Sequence, residues 1–172
     1  MIKQFLRAAR VPFAALAVAG SLYGAMASSA GAAAFPPMSA PEYQFLAELN
    51  ADRAANGLGP LSADGVLAGL ARQRSQQIMA SGSFSHYDGA GQLIFAGLLN
   101  GVGFPYAFAG ENLAENNYAW GQSLDVANGE LMNSPTHRAN ILNTRFNEVG
   151  VGIAGPGPGG RFYYTQIFAQ TW

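Results

Sequence analysis

The chain has 172 residues, nine basic and ten acidic, with 49% apolar and only 11% charged residues and no cysteine. That length and apolar content suit one domain with its own core and argue against disorder. The lack of cysteine excludes a disulfide framework and thiol chemistry, and with no basic patch interleaved with aromatics, nucleic acid is excluded as an expected partner.

The first 34 residues stand apart from the rest. Lys3, Arg7 and Arg10 are basic, the first acid is Glu42, and an apolar stretch from Val11 to Ala27 lies between them. A basic start, an apolar run and the small-residue endings Ala25-Met26-Ala27 and Ala32-Ala33-Ala34 have the order of a secretory signal peptide, and cleavage is expected after Ala34. Gly20, Ser21 and Gly24 interrupt the run, which falls short of the ~20 apolar residues that span a bilayer, so no stable membrane insertion is expected after processing. Residues 35–41 then form a short mature N-terminal segment and 42–172 one domain without repeat or linker. That mature chain holds six basic against ten acidic residues, a net charge of −4. Its expected location is extracellular or periplasmic.

In chain order, Glu42 to Asn56 has helical composition, with Phe45, Leu46 and Leu49 apolar and Gly57 as the stop. Ala63 to Ser81 is a clearer helix: Val66, Leu67, Leu70, Ala71, Ile78 and Met79 follow the i, i+3, i+4 pattern, and Gly82 ends it. Leu93 to Asn100 forms a third, short helix. Ser123 is the expected N-cap of a fourth that runs to about Asn133, where Ser134-Pro135 stops it and Pro135 starts a further turn. Val149, Val151 and Ile153 alternate with glycines, and Phe162 to Gln170 is rich in aromatic and β-branched residues, so both read as strands. Gly155 to Gly160 closes an antiparallel hairpin between them. Gly150 and Gly152 leave one strand face bare, which lets a helix or another backbone approach closely. Helices followed by an antiparallel sheet give an α+β layered domain.

The only histidines, His86 and His137, lie in Ser85-His86-Tyr87-Asp88 and Ser134-Pro135-Thr136-His137-Arg138-Ala139-Asn140. Between them Gly110-Glu111-Asn112-Leu113 supplies a carboxylate and an amide, so three separated segments can bring His, Glu and His into one cleft. Zinc on two imidazoles and one carboxylate would keep a position open for water or substrate, although no i, i+4 pair places two of these ligands on one helix. The structural alternatives are a loop hydrogen bond from His86, a tether from His137, and backbone N–H groups on Glu111. Glu111 and Asn112 can also be read as a general base with an orienting amide. No nucleophilic triad assembles. Ser85 and His86 are adjacent on an extended segment and point apart, and Ser134 before Pro135 suits backbone bonding. Tyr163, Tyr164, Gln166 and Phe168 alternate along one strand, one set for the core and the other for a groove.

Phe84-Ser85-His86, Gly110-Glu111-Asn112-Leu113-Ala114, Met132-Asn133-Ser134-Pro135-Thr136-His137-Arg138-Ala139-Asn140-Ile141-Leu142, Glu148-Val149-Gly150-Val151-Gly152 and Tyr163-Tyr164-Thr165-Gln166-Ile167-Phe168, in that order, resemble the bacterial branch of the CAP superfamily. That superfamily takes in cysteine-rich secretory proteins, antigen 5 and plant pathogenesis-related 1 proteins. The resemblance runs from about Tyr43 to Phe168. It implies a three-layer α-β-α sandwich with a central antiparallel sheet, and a cavity lined by histidine and glutamate that in some members holds a divalent metal such as zinc. Transferred residue by residue, His86 and Glu111 match. Tyr163 stands where the eukaryotic pattern has a second His, and Ser134 falls close to its second Glu. The bacterial branch has instead the His of its Ser-Pro-x-His-Arg motif, here His137, while Glu130 is a nearby carboxylate at a position where bacterial relatives carry an aromatic residue. The implied cavity is lined by His86, Glu111, His137, Asn112 and Tyr163, with His86, His137 and Glu111 as the metal ligands and zinc as the metal. The implied function is that of a secreted binding module for a lipid, peptide or cell-wall fragment. The alternative is a metal-assisted or acid/base hydrolase using His86, Glu111 and His137.

Overall fold

A computed structural model describes residues 35–172; the expected signal peptide lies outside the described residues. The elements are α1 (Ala40–Ala55), β1 (Ser62–Ala63), α2 (Gly65–Ser81), α3 (Ile94–Gly101), β2 (Phe108–Asn116), α4 (Trp120–Asn133), α5 (Pro135–Ile141), β3 (Glu148–Ala154) and β4 (Phe162–Gln170). Local chemistry sets their ends. The Ser39 N–H at the start of α1 donates to Glu42 Oε2 at 2.7 Å, and Asp64 Oδ1 caps α2 by accepting from the Leu67 N–H at 2.8 Å. Gly82 closes α2 at φ 68°, a left-handed conformation that costs glycine little.

The strands form one sheet in the order β1-β3-β4-β2. It is antiparallel except for the two-residue β1, which runs parallel to β3. Side chains alternate across it. On one face Ile167 and Ala169 of β4 pack with Leu67, Leu70 and Ala71 of α2 and Phe95 and Leu99 of α3. On the other, Val149, Val151, Tyr164 and Phe168 meet Phe45 and Leu49 of α1, Leu124, Ala127 and Leu131 of α4, and Ile141 of α5. The result is a three-layer α-β-α sandwich. The bare face of β3 has the expected use: a Cβ on Gly150 would lie 2.0 Å from the Leu67 backbone carbon, and one on Gly152 2.0 Å from the Arg72 amide nitrogen, so α2 rests directly on the strand backbone.

One element has no counterpart in the sequence reading, and one reading changes. The segment around Glu111 is a nine-residue strand, β2, at the edge of the sheet. The helix expected from Ser123 begins at Trp120, and Ser123 is fully buried within it. Its hydroxyl serves tertiary bonds to Asn116 Oδ1 and the Tyr164 hydroxyl, both at 2.5 Å, in place of a cap. Among the described residues no helix is long and apolar enough to cross a membrane.

Candidate functional site

The site lies at the β2 edge of the sheet, between the two helical layers. Glu111 points toward α2 and is shut off from solvent, as is Arg74, whose side chain is 2% exposed. Arg74 Nε donates to Glu111 Oε1 at 3.1 Å, and the same guanidinium donates to the Ser85 carbonyl. The second carboxylate oxygen, Oε2, is 2.7 Å from His86 Nδ1. A carboxylate only accepts, so Nδ1 carries the proton and Nε2 is the ring atom left for other work. The His86 side chain is 36% exposed.

The loop that carries His86 is fastened on both sides. Ser85 Oγ donates to the Tyr87 carbonyl and accepts from the Tyr87 N–H, both at 3.0 Å. Asp88 Oδ1 accepts from the Ala90 and Gln92 amides at 2.8 Å, and the Ile94 N–H donates to the His86 carbonyl at 3.0 Å. A half-exposed imidazole is thus held by a buried carboxylate, a buried guanidinium and a tied loop.

Asn112 follows Glu111 along the strand and therefore faces the opposite layer. It is fully buried. Its Nδ2 donates to the His137 carbonyl and to Gln166 Oε1, each at 3.1 Å. Asn140 completes the tie, donating to Asn112 Oδ1 at 2.9 Å and to the Glu111 carbonyl at 3.2 Å. These bonds fix α5 against β2 and bring His137 over the strand edge, its ring 6.4 Å centroid to centroid from that of His86. Burial, and secondarily the charge of His86, pushes the His137 pKa below its ordinary value of 6.5.

Of the five residues expected to line the cavity, His86, Glu111 and His137 meet at this edge. Asn112 lies behind the strand as a tether, and Tyr163 belongs to a small apolar cluster with Ile78 and Leu113. Tyr163 pairs across the sheet with Glu115, four residues along the strand from Glu111. A groove of about 250 Å³, which His137 lines and His86 does not, runs along Leu113, Ala114 and Glu115, with Phe84 on one bank and Leu131 and His137 on the other.

The expected set of His86, His137 and Glu111 does not fit a metal ion as the side chains stand. Both oxygens of Glu111 are taken, one by a guanidinium that a cation would have to displace at close range. Among the described residues no group of three His, Asp or Glu side chains is set to hold a metal ion. The arrangement instead gives Glu111 the part of an orienting partner to His86. Of the neighbouring serines, Ser85 Oγ bonds both backbone groups of Tyr87 and Ser134 Oγ lies 3.3 Å from Thr136 Oγ1.

The residue that sequence reasoning missed is Arg74. It sits four residues after Leu70, four before Ile78 and seven after Leu67, in the middle of the apolar stripe of α2. A charged residue at a core position of an amphipathic helix is the signal that pointed to a buried partner.

Residues 46–168 match the family model described as CAP, cysteine-rich secretory protein family. Over 120 residues the chain is 33% identical to protein YkwD of Bacillus subtilis (strain 168), a match covering 70% of this chain and 45% of that protein. An extracellular SCP-domain protein from Bacillus anthracis str. Ames shares the fold with a TM-score of 0.65 and 24% identity, over 79% of this chain and 45% of that one. An outer surface protein from Borrelia burgdorferi does so with a TM-score of 0.65 and 16% identity, over 77% and 93%. The chain spans less than half the length of the two Bacillus proteins.

Proposed function

The chain belongs to the cysteine-rich secretory protein (CAP) family, in its bacterial branch, and on that premise we propose that it is an exported binding module whose groove at the β2 edge takes a lipid, peptide or cell-wall fragment against the His86 imidazole. The leader-like first 34 residues and the extracellular relative from Bacillus anthracis support export. The observation that carries the binding reading is the Arg74–Glu111–His86 relay. A buried ion pair costs desolvation that a packed apolar pair would not. Here it holds one half-exposed ring in one tautomer, 6.4 Å centroid to centroid from the His137 ring that lines the groove. A few polar atoms converging on an otherwise apolar cleft is the usual composition of a ligand site.

The test is an NMR titration of the exported protein, with histidine rings labelled. The probes are a disaccharide–tetrapeptide from peptidoglycan, lysophosphatidylcholine below its micellar concentration, and a capped lysine-containing tetrapeptide. At least one probe is expected to shift the His86 Nε2 resonance. The Arg74→Met/Glu111→Leu double variant, which keeps the core filled, is expected to lose that response. Silence of both histidine rings toward all three probes would overturn the reading.

A further inference from the structure

Strand β2 is an edge strand of the sheet, and the direction of its backbone groups follows from the register. The Asn147 N–H donates to the Ala169 carbonyl at 3.1 Å, so odd-numbered residues of β4 turn their backbone groups toward β3 and even-numbered ones toward β2. Since Gln166 faces Asn112 and Tyr164 faces Ala114 in register, the even residues of β2 bond inward. Glu111, Leu113 and Glu115 then turn their N–H and C=O groups outward, away from the sheet. The Glu111 carbonyl is covered by Asn140 Nδ2 at 3.2 Å. Beyond it, among the described residues no hydrogen bond reaches the outward groups of Leu113, which is buried, or Glu115, which is half-buried. These two residues form the floor of the groove, whose banks come from the α2 side at Phe84 and from the α4–α5 side at Leu131 and His137.

An edge strand with unpaired amides and carbonyls at the bottom of a cleft between two helical layers is a template for another strand. Its rim is acidic. Glu130 lines the groove and bonds to no cation among the described residues, whereas Glu115 is already paired with Arg161.

Resting on the reading of this groove as a ligand site, we infer that its ligand is an extended peptide with a basic side chain, which adds to the sheet as a fifth strand by pairing with the outward N–H and C=O groups of Leu113 and Glu115. The peptide backbone supplies the hydrogen bonds, side chains of alternate residues point toward the two helical layers, and the basic one reaches Glu130.

The probe is the capped hexapeptide acetyl-Lys-Val-Lys-Val-Lys-Val-amide, together with its two analogues N-methylated on the odd or on the even residues. N-methylation removes backbone donors and leaves every side chain in place. Amide NMR of the exported protein is expected to show the Leu113 and Glu115 resonances shifting with the parent peptide. One of the two analogues is expected to bind at least about ten-fold more weakly, because it loses several backbone bonds at once. Glu130→Gln is expected to weaken the parent about two- to five-fold. Equal binding by all three peptides would overturn strand addition while leaving a ligand groove in place. No shift at Leu113 or Glu115 with any peptide would also overturn it; if the peptidoglycan or lipid probe still moves the His86 ring, only strand addition fails.

Discussion

The first half of α2 meets the sheet backbone to backbone, with residues 67–72 lying over Gly150 and Gly152 at a distance that excludes even a methyl group. From Arg74 onward the same helix adds polar side-chain contacts to the apolar one Ile78 makes with Leu113 and Tyr163: Arg74 on Glu111, and Ser75 Oγ at 2.8 Å from Thr165 Oγ1 and 3.0 Å from the Gly152 carbonyl. Both halves contribute buried residues, Leu67 to Ala71 from the first and Arg74, Ser75 and Ile78 from the second. They differ in what burial serves. The glycine half is close contact whose only consequence is stability, while the polar half places charge where an apolar pair would pack at least as well, and the charge ends on an exposed ring. The comparison teaches that the site is an extension of the core, reached through Arg74, rather than a surface feature.

Breaking the polar half is expected to have the largest effect. Arg74→Ala leaves the fully buried Glu111 carboxylate without its cation and should cost about 3–5 kcal/mol, which calorimetry would register as a fall in Tm of roughly 10 °C or more. Replacing both partners, Arg74→Met with Glu111→Leu, should return stability to within about 1 kcal/mol of the parent or above it. If the double variant is as unstable as the single one, the pair is part of the fold's own support and the contrast between the two halves fails.

Next comes the glycine half. Gly150→Ala forces a methyl group to within 2.0 Å of the Leu67 backbone, which cannot be relieved by a rotamer change, and about 3 kcal/mol of destabilisation is expected in denaturant unfolding. The His86 ring resonances should be unchanged in whatever fraction remains folded, since the strain falls on the other half of the helix. A change in the ring tautomer of that variant would show the two halves to be coupled.

A smaller effect is expected with pH. The folded-state pKa of His137 lies below its ordinary 6.5, so the unfolded chain takes up the proton first. The stabilising share of the neutral ring is complete above 6.5 and is lost as pH falls from there toward the folded value. Comparing Tm at neutral and mildly acidic pH, His137→Gln should show a flatter dependence than the parent, and a steeper one would contradict the assignment.

These regions differ also in how far the sequence disclosed them. Phe162 to Gln170 reads as a strand and is one over those same residues, because its β-branched and aromatic residues leave no competing pattern. The close approach at Gly150 and Gly152 follows from two missing side chains on one strand face. The strand β2 escaped notice because Glu111, Asn112 and Asn116 are buried polar residues; they break the apolar–polar alternation by which a strand is recognised. Ser123 looked like a cap because the hydroxyl that would bond a helix start equally well bonds Asn116 and Tyr164. The meeting of His86 with Glu111 was legible only through the ordered motifs. Arg74, which makes that meeting more than a contact, was present in the apolar stripe of α2 as an out-of-place charge.

The most direct test of the account is the nitrogen chemical shifts of the His86 ring at alkaline pH, in the parent and in the Arg74→Met/Glu111→Leu variant. The account predicts a protonated Nδ1 and an unprotonated Nε2 in the parent, because Glu111 Oε2 accepts from Nδ1 at 2.7 Å, and loss of that preference in the folded double variant. A parent ring protonated on Nε2, or identical ring shifts in the two proteins, would contradict it.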